Sequence, residues 1–303
     1  ASPRPSATAP VGSAGATAAV TVPLGGSPCG VVATTSDVWV SDAERATLSR
    51  LDPATGAVRA TTPLDDEPCE ILVAAGSLWV VTQSGVLDRV DPTTGTVRAR
   101  IPVGDASYEA AYAAGHVWVT NRESGTLSKV DPRTDTVVTT VRMPIEHPGG
   151  LVAVGRELWI GNDDSAGDTV VVYDTRTGRT RTVRAGTRPA YLTTSRGLVW
   201  VSLQGESAVA RIDPRTSTVL GTTPAGATPV NLDGSRGPEP EVWVPDDAGD
   251  VVTRIDASTG EVIETIPTGS GSGPAVAAVS PIGGAWVTGF GAGVVWWFRP
   301  ASA

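Results

Sequence analysis

The 303-residue sequence is poor in basic side chains, and lysine is almost missing. Only Lys129 is a lysine among the 23 basic residues, and 32 acidic residues give a net charge of -9 at pH 7. Nucleic-acid binding draws its affinity from lysine and arginine side chains that neutralise phosphates. We therefore expect neither DNA nor RNA as a partner.

Long hydrophobic runs are also missing. No stretch approaches the roughly 20 apolar residues that a helix needs to cross a bilayer, so we expect no membrane-spanning segment in this chain. Residues 1–17 are rich in Ala, Pro, Ser and Gly, a composition that buries too little apolar surface to order itself. Because the sequence also starts at Ala1 without a methionine, we predict a flexible N-terminal linker on an exported protein, extracellular or at the cell surface.

One repeated phrase dominates the rest of the sequence, for example LWVVT at residues 78–82 followed by LDRVDPTTG at residues 87–95. Its tryptophan recurs at intervals of 39 to 43 residues, at Trp39, Trp79, Trp118, Trp159, Trp200, Trp243 and Trp286. A period near 40 with four short strand-forming runs per copy is typical of a β-propeller, in which each repeat is one blade. We predict an all-β fold, a seven-bladed β-propeller of four-stranded antiparallel blades over residues 18–300, with residues 301–303 as a tail.

The two ends of the repeat array complement each other. The last copy stops after its third strand, at residues 294–300, whereas residues 18–23 precede the first copy in the position of a fourth strand. We therefore predict that the N-terminal strand completes the last blade, because this removes an open sheet edge. We expect the closed ring to be a monomer.

A second repeated feature is the turn between the third and fourth strands, Asp-Pro-x-Thr-Gly at residues 52–56 and 91–95 and in variants elsewhere. Asp accepts hydrogen bonds from amides two residues on, Pro presets the first turn dihedral, and Gly takes the positive φ. Lone carboxylates on separate turns cannot supply the six to eight oxygens of a calcium site. We interpret these aspartates as structural, and the repeated tryptophans as packing between blades.

The two cysteines, Cys29 and Cys69, occupy matching positions in adjacent repeats, each directly after a proline. A disulfide between them would close a loop of about 40 residues, which the chain-entropy model values at roughly 4 kcal/mol. An exported protein permits such a bond. We predict the disulfide, with two free buried thiols or a thiolate metal pair as the alternatives.

Residues that differ from the repeat pattern are concentrated where the first strand of a blade begins and where its second strand ends. In a four-stranded meander these points surround one mouth of the central channel, which is the default binding site. His147 is the better placed of the two histidines, and we expect the third blade's Tyr108 and Glu109 near it. We predict that a ligand at the mouth contacts the following residues: Tyr108, Glu109, His147, Arg188, Asp42, Asn121, Asn162 and Asp246.

The polar side chains near His147 also suggest a metal site. Glu146, His147, Asp163 and Asp164 offer ligands for a divalent ion such as Mg or Ca, or an acid and a base. The alternative is a solvated polar rim, because ordinary loops are polar. We expect no required cofactor and keep the divalent cation as the second possibility.

The units VWVTN at residues 117–121 and LSKVDP at residues 127–132 resemble the repeats of YVTN/YncE-like bacterial propellers and of the streptogramin B (virginiamycin B) lyase family. The resemblance covers about residues 18–300. The lyases imply a magnesium site that includes a Glu-x-His after the second-strand aromatic, and no Glu-x-His follows any of the seven tryptophans here.

Taken with the acidic surface and the linker, these observations predict an exported binding or sensor module that recognises a peptide, glycan or protein partner at the channel mouth. The alternative is an enzyme, a metal-dependent lyase or hydrolase of the streptogramin lyase-like class with a rearranged site.

Overall fold

The computed structural model describes residues 18–235 and 240–299 of the chain. Within these residues the regular elements are 28 β-strands, which form seven four-stranded antiparallel sheets. None of the described residues belongs to a helix long and apolar enough to span a membrane. The seven-bladed β-propeller predicted from the repeats is confirmed, while the predicted linker, residues 1–17, and tail, residues 301–303, lie outside the described part.

The strands follow chain order within each blade, and their bounds are listed here. Blade 1 comprises β2 (Pro28–Ala33), β3 (Val38–Asp42), β4 (Thr47–Leu51) and β5 (Val58–Pro63). Blade 2 comprises β6 (Pro68–Ala74), β7 (Ser77–Thr82), β8 (Val86–Val90) and β9 (Val97–Pro102). Blade 3 comprises β10 (Ser107–Ala113), β11 (His116–Asn121), β12 (Thr126–Asp131) and β13 (Thr136–Arg142). Blade 4 comprises β14 (Pro148–Val154), β15 (Glu157–Asn162), β16 (Thr169–Asp174) and β17 (Thr180–Arg184).

The remaining blades continue in the same order. Blade 5 comprises β18 (Pro189–Ser195), β19 (Leu198–Leu203), β20 (Ala208–Asp213) and β21 (Thr218–Pro224). Blade 6 comprises β22 (Asp233–Gly234), β23 (Glu241–Asp246), β24 (Val251–Asp256) and β25 (Val262–Pro267). Blade 7 comprises β26 (Pro274–Val279), β27 (Ala285–Gly289), β28 (Val294–Arg299) and the N-terminal β1 (Ala18–Pro23).

Ring closure occurs as the ends of the repeat array predict. Strand β1 pairs antiparallel with β28, with Val20 opposite Trp297, so the N-terminal strand supplies the fourth strand of blade 7. The two ends of the propeller are thereby joined in one sheet. Strand β1 covers the edge of β28 that would otherwise be unpaired.

The repeated tryptophans pack between blades. Each of the seven clusters of buried side chains contains one of them and combines residues of two adjacent blades. Trp39 packs against Leu78 and Val80 of blade 2, whereas its neighbours Val38 and Val40 pack against blade 7. The alternation of side chains along a strand thus buries both faces of the second strand.

A cation covers the tryptophan ring in six blades, for example Arg254 at 5.0 Å from the centroid of the Trp243 ring. In blade 7 an aromatic ring takes that place: Trp297 stacks on Trp286 with centroids 5.3 Å apart and planes 9° apart. Such cation–π contacts contribute about 0.5–2 kcal/mol each. The aromatic side chains of the repeat are therefore used inside the blades and their interfaces.

The turn aspartates act as the sequence predicts. Asp52 accepts hydrogen bonds from the amides of Ala54 and Thr55, both at 2.9 Å, and Gly56 has a φ of 74°. The equivalent Asp bonds to an amide two residues on in the other turns as well, at Asp91, Asp131, Asp174, Asp213 and Asp256. In blades 1 to 6 these carboxylates close the hairpins at the end of the blade away from the mouth.

Candidate functional site at the channel mouth

The first strand carries a β-bulge at the mouth in six of the seven described blades. Register shifts occur between Pro68 and Ile71 in β6 and between Ser107 and Glu109 in β10, and β2, β14, β18 and β26 show the same feature. A bulge disrupts the ladder locally and changes the direction of side chains. In blade 2 it lets two adjacent residues, Cys69 and Glu70, line the same cavity.

In four of these six blades, a hydroxyl group two residues after the tryptophan holds the bulge. The amide of Glu109 donates to Thr120 Oγ1 at 3.2 Å, and the amide of Tyr191 donates to Ser202 Oγ at 3.0 Å. The Thr120 hydroxyl also donates to the carbonyl of Gly149 in the next blade at 2.8 Å. The hydroxyl therefore satisfies an amide that the bulge leaves unpaired and ties adjacent blades together around the mouth.

A cavity of about 570 Å³ opens at the mouth. Its walls consist of residues at the beginning of the blades' first strands and residues in the loops that follow the second strands, as the meander topology predicts. The side chains most able to interact with a ligand are Glu70, Tyr108, Glu109, Tyr191, Asn231 and Phe290.

The predicted disulfide is confirmed and lies in this wall. Cys29 and Cys69 are bonded across blades 1 and 2, with their Cα atoms 5.0 Å apart. Free thiols and a thiolate metal pair are therefore wrong for these two residues. Structural disulfides of this kind form and persist in oxidising surroundings.

Deeper in the cavity, one amide group joins two carboxyl groups. Asn231 Nδ2 donates to Oε2 of Glu70 at 2.9 Å and to Oε2 of Glu109 at 3.3 Å. The backbone carbonyl of Asn231 accepts a hydrogen bond from Ala277 of blade 7. Because the first strand of blade 6 is reduced to the two residues of β22, Asn231 is free of that sheet and reaches blades 2 and 3.

Burial perturbs both carboxyl groups. It raises the pKa of Glu70 to about 7, and the charge of nearby Asp233 adds to the rise. Burial also raises the pKa of Glu109 well above its usual range, with repulsion from Glu70 as the next cause. Among the described residues no arginine, lysine or histidine forms an ion pair with either group. The pair therefore retains a proton near neutral pH.

Two tyrosines lie beside the carboxyl groups. The hydroxyls of Tyr108 and Tyr191 contact each other, and their rings are stacked with centroids 5.7 Å apart. Burial raises the pKa of Tyr191 to about 12 and that of Tyr108 well above its usual range, so both phenols stay protonated. Gly150 of blade 4 permits this arrangement, since a Cβ there would lie 2.7 Å from the Tyr191 Cα.

His147 lies in a separate and more open cavity, the rim groove, together with Glu146, Asp164 and Arg188. Its Nδ1 contacts Asp164 Oδ1, and ligand atoms of Glu146, His147 and Asp164 all lie within 4.8 Å of one another. Tyr108 and Glu109 line the mouth cavity instead of this groove. The residues expected around His147 are therefore divided between two cavities.

Asp163 forms the wall that the two cavities share. Its carboxylate accepts hydrogen bonds from Arg122 Nε and Arg188 Nε, both at 2.9 Å. Arg122 and Asp163 line both cavities. Of the four predicted metal ligands, Asp163 is thus neutralised by two arginines, and the other three are grouped.

The remaining predicted ligand residues end second strands and use their side chains within the loops. Asp246, which is fully buried, accepts hydrogen bonds from the amides of Thr228 at 2.8 Å and Gly249 at 3.0 Å. The other three are buried and bonded to their own or neighbouring loops in the same manner: Asp42, Asn121 and Asn162. None of the four lines the mouth cavity or the rim groove.

Sequence reasoning missed Glu70, Tyr191 and Asn231. Glu70 and Tyr191 directly follow Cys69 and Ala190, which stand ten residues before the tryptophans of their blades, and the bulge turns both side chains toward the cavity. The Ser or Thr two residues after the tryptophan was a usable signal for the bulge in blade 5, where it is Ser202. Blade 2 has Val81 at that position, so no hydroxyl-bearing residue indicated the bulge that brings Glu70 to the cavity.

Fold and site together define the class of this protein: a seven-bladed β-propeller with a polar, aromatic-lined cavity at one mouth of its channel. No family model matches the chain, and no curated protein matches it. Among solved structures it is similar to a chain in a crystal structure of the mitotic checkpoint complex, with 16% sequence identity and a TM-score of 0.81. That match covers 99% of this chain and 97% of the other, and at this identity it shows the fold alone.

Proposed function

We propose that this chain is an exported binding or sensor module that recognises a peptide, glycan or protein partner at the channel mouth. The observation that carries the proposal is the cavity of about 570 Å³ at that mouth. Its volume falls within the roughly 300–1,000 Å³ of ligand sites. The disulfide supports export.

The mouth is suited to binding because its walls are built before a ligand arrives. Interblade hydrogen bonds such as that from Thr120 to Gly149, and the bond between Cys29 and Cys69, fix the strands that carry the lining side chains. A preformed site loses less conformational freedom on binding than one that must order itself. Tyr108 and Tyr191 add rigid surfaces that have both apolar and polar parts.

The four tyrosines of the chain provide a direct test. With 3-fluorotyrosine incorporated, ¹⁹F NMR resolves Tyr108 and Tyr191 in the cavity from Tyr112 and Tyr173 outside it. Titration with panels of short peptides and oligosaccharides should shift the first two signals and leave the other two in place. Tyr191→Ala should abolish the response, whereas Tyr112→Ala, at a side chain that is 41% exposed, should retain it. Shifts confined to Tyr112 and Tyr173 would contradict the proposed site.

The alternative function, a metal-dependent lyase or hydrolase, is favoured by one observation, the grouping of Glu146, His147 and Asp164 in the rim groove. An imidazole and two carboxylates suit a divalent ion, which would act there as a Lewis acid with water or substrate in its remaining positions. Calorimetric titration with Mg, Ca and Mn should then give saturable binding that Asp164→Asn abolishes. Absence of binding in the unmodified protein would refute this alternative.

A further inference from the structure

We propose that the mouth cavity binds an organic cation, an ammonium or guanidinium group held between the Tyr108 and Tyr191 pair and the carboxyl groups of Glu70 and Glu109. The proposal rests on the proposed function, because it names the ligand class of the same cavity. The cation belongs either to a free amine or to a lysine or arginine side chain of a peptide or protein.

Charge complementarity is the first argument. The residues that line the cavity include one guanidinium group, Arg122, and five carboxyl groups, at Glu70, Glu109, Glu123, Asp163 and Asp247. Arg122 is already paired with Asp163 and Glu123. Glu70 and Glu109 are left without a cation among the described residues, and uncompensated carboxylates are costly to bury. A bound cation would supply the missing charge.

Hydrogen-bonding capacity is the second argument. Glu109 receives one hydrogen bond to its side chain from the described residues, the 3.3 Å contact from Asn231, which also serves Glu70. Both glutamates are surrounded by protein, yet they retain surface that faces the cavity. Ionised carboxylates only accept hydrogen bonds, whereas ammonium and guanidinium groups only donate them. The oxygens that face the cavity therefore match a cationic donor.

Aromatic rings provide the third argument. Tyr108, Tyr191 and Phe290 line the same cavity, and a cation near an aromatic face gains about 0.5–2 kcal/mol. A neutral sugar would use the rings but leave the two carboxyl groups uncompensated. A calcium ion needs six to eight oxygen ligands, and the amide nitrogen of Asn231, not its oxygen, faces the carboxyl groups. Of these three ligand classes, the organic cation is the one that matches both the rings and the carboxyl groups.

Cation binding is coupled to proton release. The titratable groups that face the pair are Asp233 of blade 6, Tyr108 of blade 3 and Tyr191 of blade 5, with Arg122 and Asp163 at the wall toward the rim groove. The tyrosines stay protonated, so the glutamates release the proton when a cation arrives. Affinity for a cation should therefore rise between pH 5.5 and pH 8.

The test compares matched probes by ¹⁹F NMR and calorimetry. Benzylamine should bind at least about tenfold more tightly than its neutral isostere benzyl alcohol, as a cation–π contact and a charge-assisted hydrogen bond would require. Calorimetry at pH 7 in phosphate and in citrate, which contain no amine and differ in ionisation heat, should show proton release with benzylamine. A lysine-containing peptide and its Nε-acetylated form distinguish a side-chain source from a free amine: only the peptide source predicts tighter binding of the unmodified peptide than of benzylamine.

Substitution of the carboxyl groups provides the second arm. The double variant Glu70→Gln with Glu109→Gln should lose at least about tenfold in benzylamine affinity and should no longer release protons. It should remain folded, with an undiminished melting temperature, because neutral amides of nearly the same shape replace two carboxyl groups whose ionisation burial disfavours. Glu261→Gln makes the same chemical change at an exposed position outside the cavity and should alter neither quantity.

The outcomes separate this inference from the proposed function. Equal affinity for benzylamine and benzyl alcohol, or unchanged benzylamine binding by the folded double variant, overturns the cation assignment. If oligosaccharides or acetylated peptides then shift Tyr108 and Tyr191, the mouth remains a binding site with a different ligand class. If no probe of any class shifts these two signals, both proposals fail.

Discussion

Carboxyl groups at the two ends of the blades are placed in opposite electrostatic surroundings. At the turn end, the Arg98 side chain and the amides of Thr93 and Thr94 lower the pKa of Asp91 to about 2. At the mouth, burial and the charge of Asp233 raise the pKa of Glu70 to about 7. The turn carboxylate is partly exposed and has several donors, whereas the mouth carboxyl is surrounded by protein and shares one side-chain amide.

The carboxyl groups at the turn end and those at the mouth also differ in whether they recur from blade to blade. Turn aspartates recur in six repeats and close a hairpin each time, so their chemistry is local and structural. The pair formed by Glu70 and Glu109 occurs once, across two blades and with an amide from a third. A residue repeated in phase with the blades therefore belongs to the scaffold, and an unrepeated polar residue is the better functional candidate.

The disulfide shows the limit of this rule and gives the largest predicted effect. Cys29 and Cys69 depart from the repeat, yet their bond constrains the scaffold at the mouth. Replacing both by alanine should lower the free energy of unfolding by about 4 kcal/mol, because the unfolded chain regains the freedom of a loop of about 40 residues. Urea unfolding followed by tryptophan fluorescence would measure the loss.

Reduction of the unmodified protein is the control for this substitution. Dithiothreitol should lower its stability by a similar amount and leave the double alanine variant unchanged. Hydrogen exchange should quicken most at mouth amides such as that of Gly30, and least at turn amides such as that of Thr93. Equal stability with and without the bond would show that the mouth is held by packing alone.

The second prediction removes one mouth carboxyl. The folded pKa of Glu70, about 7, exceeds the unfolded value, so its favourable contribution is complete below about pH 4 and is lost as the pH rises through 7. Glu70→Gln should therefore stabilise the protein by about 1–3 kcal/mol at pH 8 and by much less at pH 5. Its amide can donate to Glu109 while its oxygen still accepts from Asn231.

Thermal melts of Glu70→Gln and the unmodified protein across pH 5 to 8 would check this expectation. Glu261→Gln, at an exposed position away from the mouth, should follow the unmodified protein throughout. A Glu70→Gln variant that is less stable at pH 8 would contradict the assignment of an uncompensated buried carboxyl. Stabilisation together with loss of ligand binding would identify Glu70 as a residue retained for function at the expense of stability.

The fold could be predicted from the sequence because its determinants are local and repeated. A tryptophan every 39 to 43 residues sets the blades, and an Asp-Pro-x-Thr-Gly turn or a variant of it marks the end of the third strand in the first six repeats. The sequence also shows that the last repeat lacks a fourth strand and that residues 18–23 form an extra one. These two features together predict the ring closure that the structure shows. None of these inferences required knowledge of contacts between distant residues.

The mouth could be predicted only in part, because its geometry depends on irregularities. Regular alternation in the first strand would point one residue of each blade inward, but the bulge brings Glu70 and Tyr191 to the cavity as well. Asn231 reaches the channel because β22 is short, which no local pattern announces. Asp42 and Asp246, by contrast, could have been interpreted as structural residues that accept hydrogen bonds from loop amides, since an Asx residue ends the second strand in several blades.

The smallest predicted effect concerns the turn end. Asp91→Asn keeps an oxygen for the amides of Thr93 and Thr94 but loses the charge that pairs with Arg98. Because the folded pKa lies below the unfolded value of about 4, the contribution of this carboxylate is present above pH 4 and is lost as the pH falls through 2. The variant should melt slightly below the unmodified protein at pH 7 and at the same temperature near pH 2. Substitution at the turn is thus expected to destabilise at neutral pH, and substitution of Glu70 to stabilise at alkaline pH. Melts that changed in the same direction for both variants would remove the contrast between the two ends of the blades.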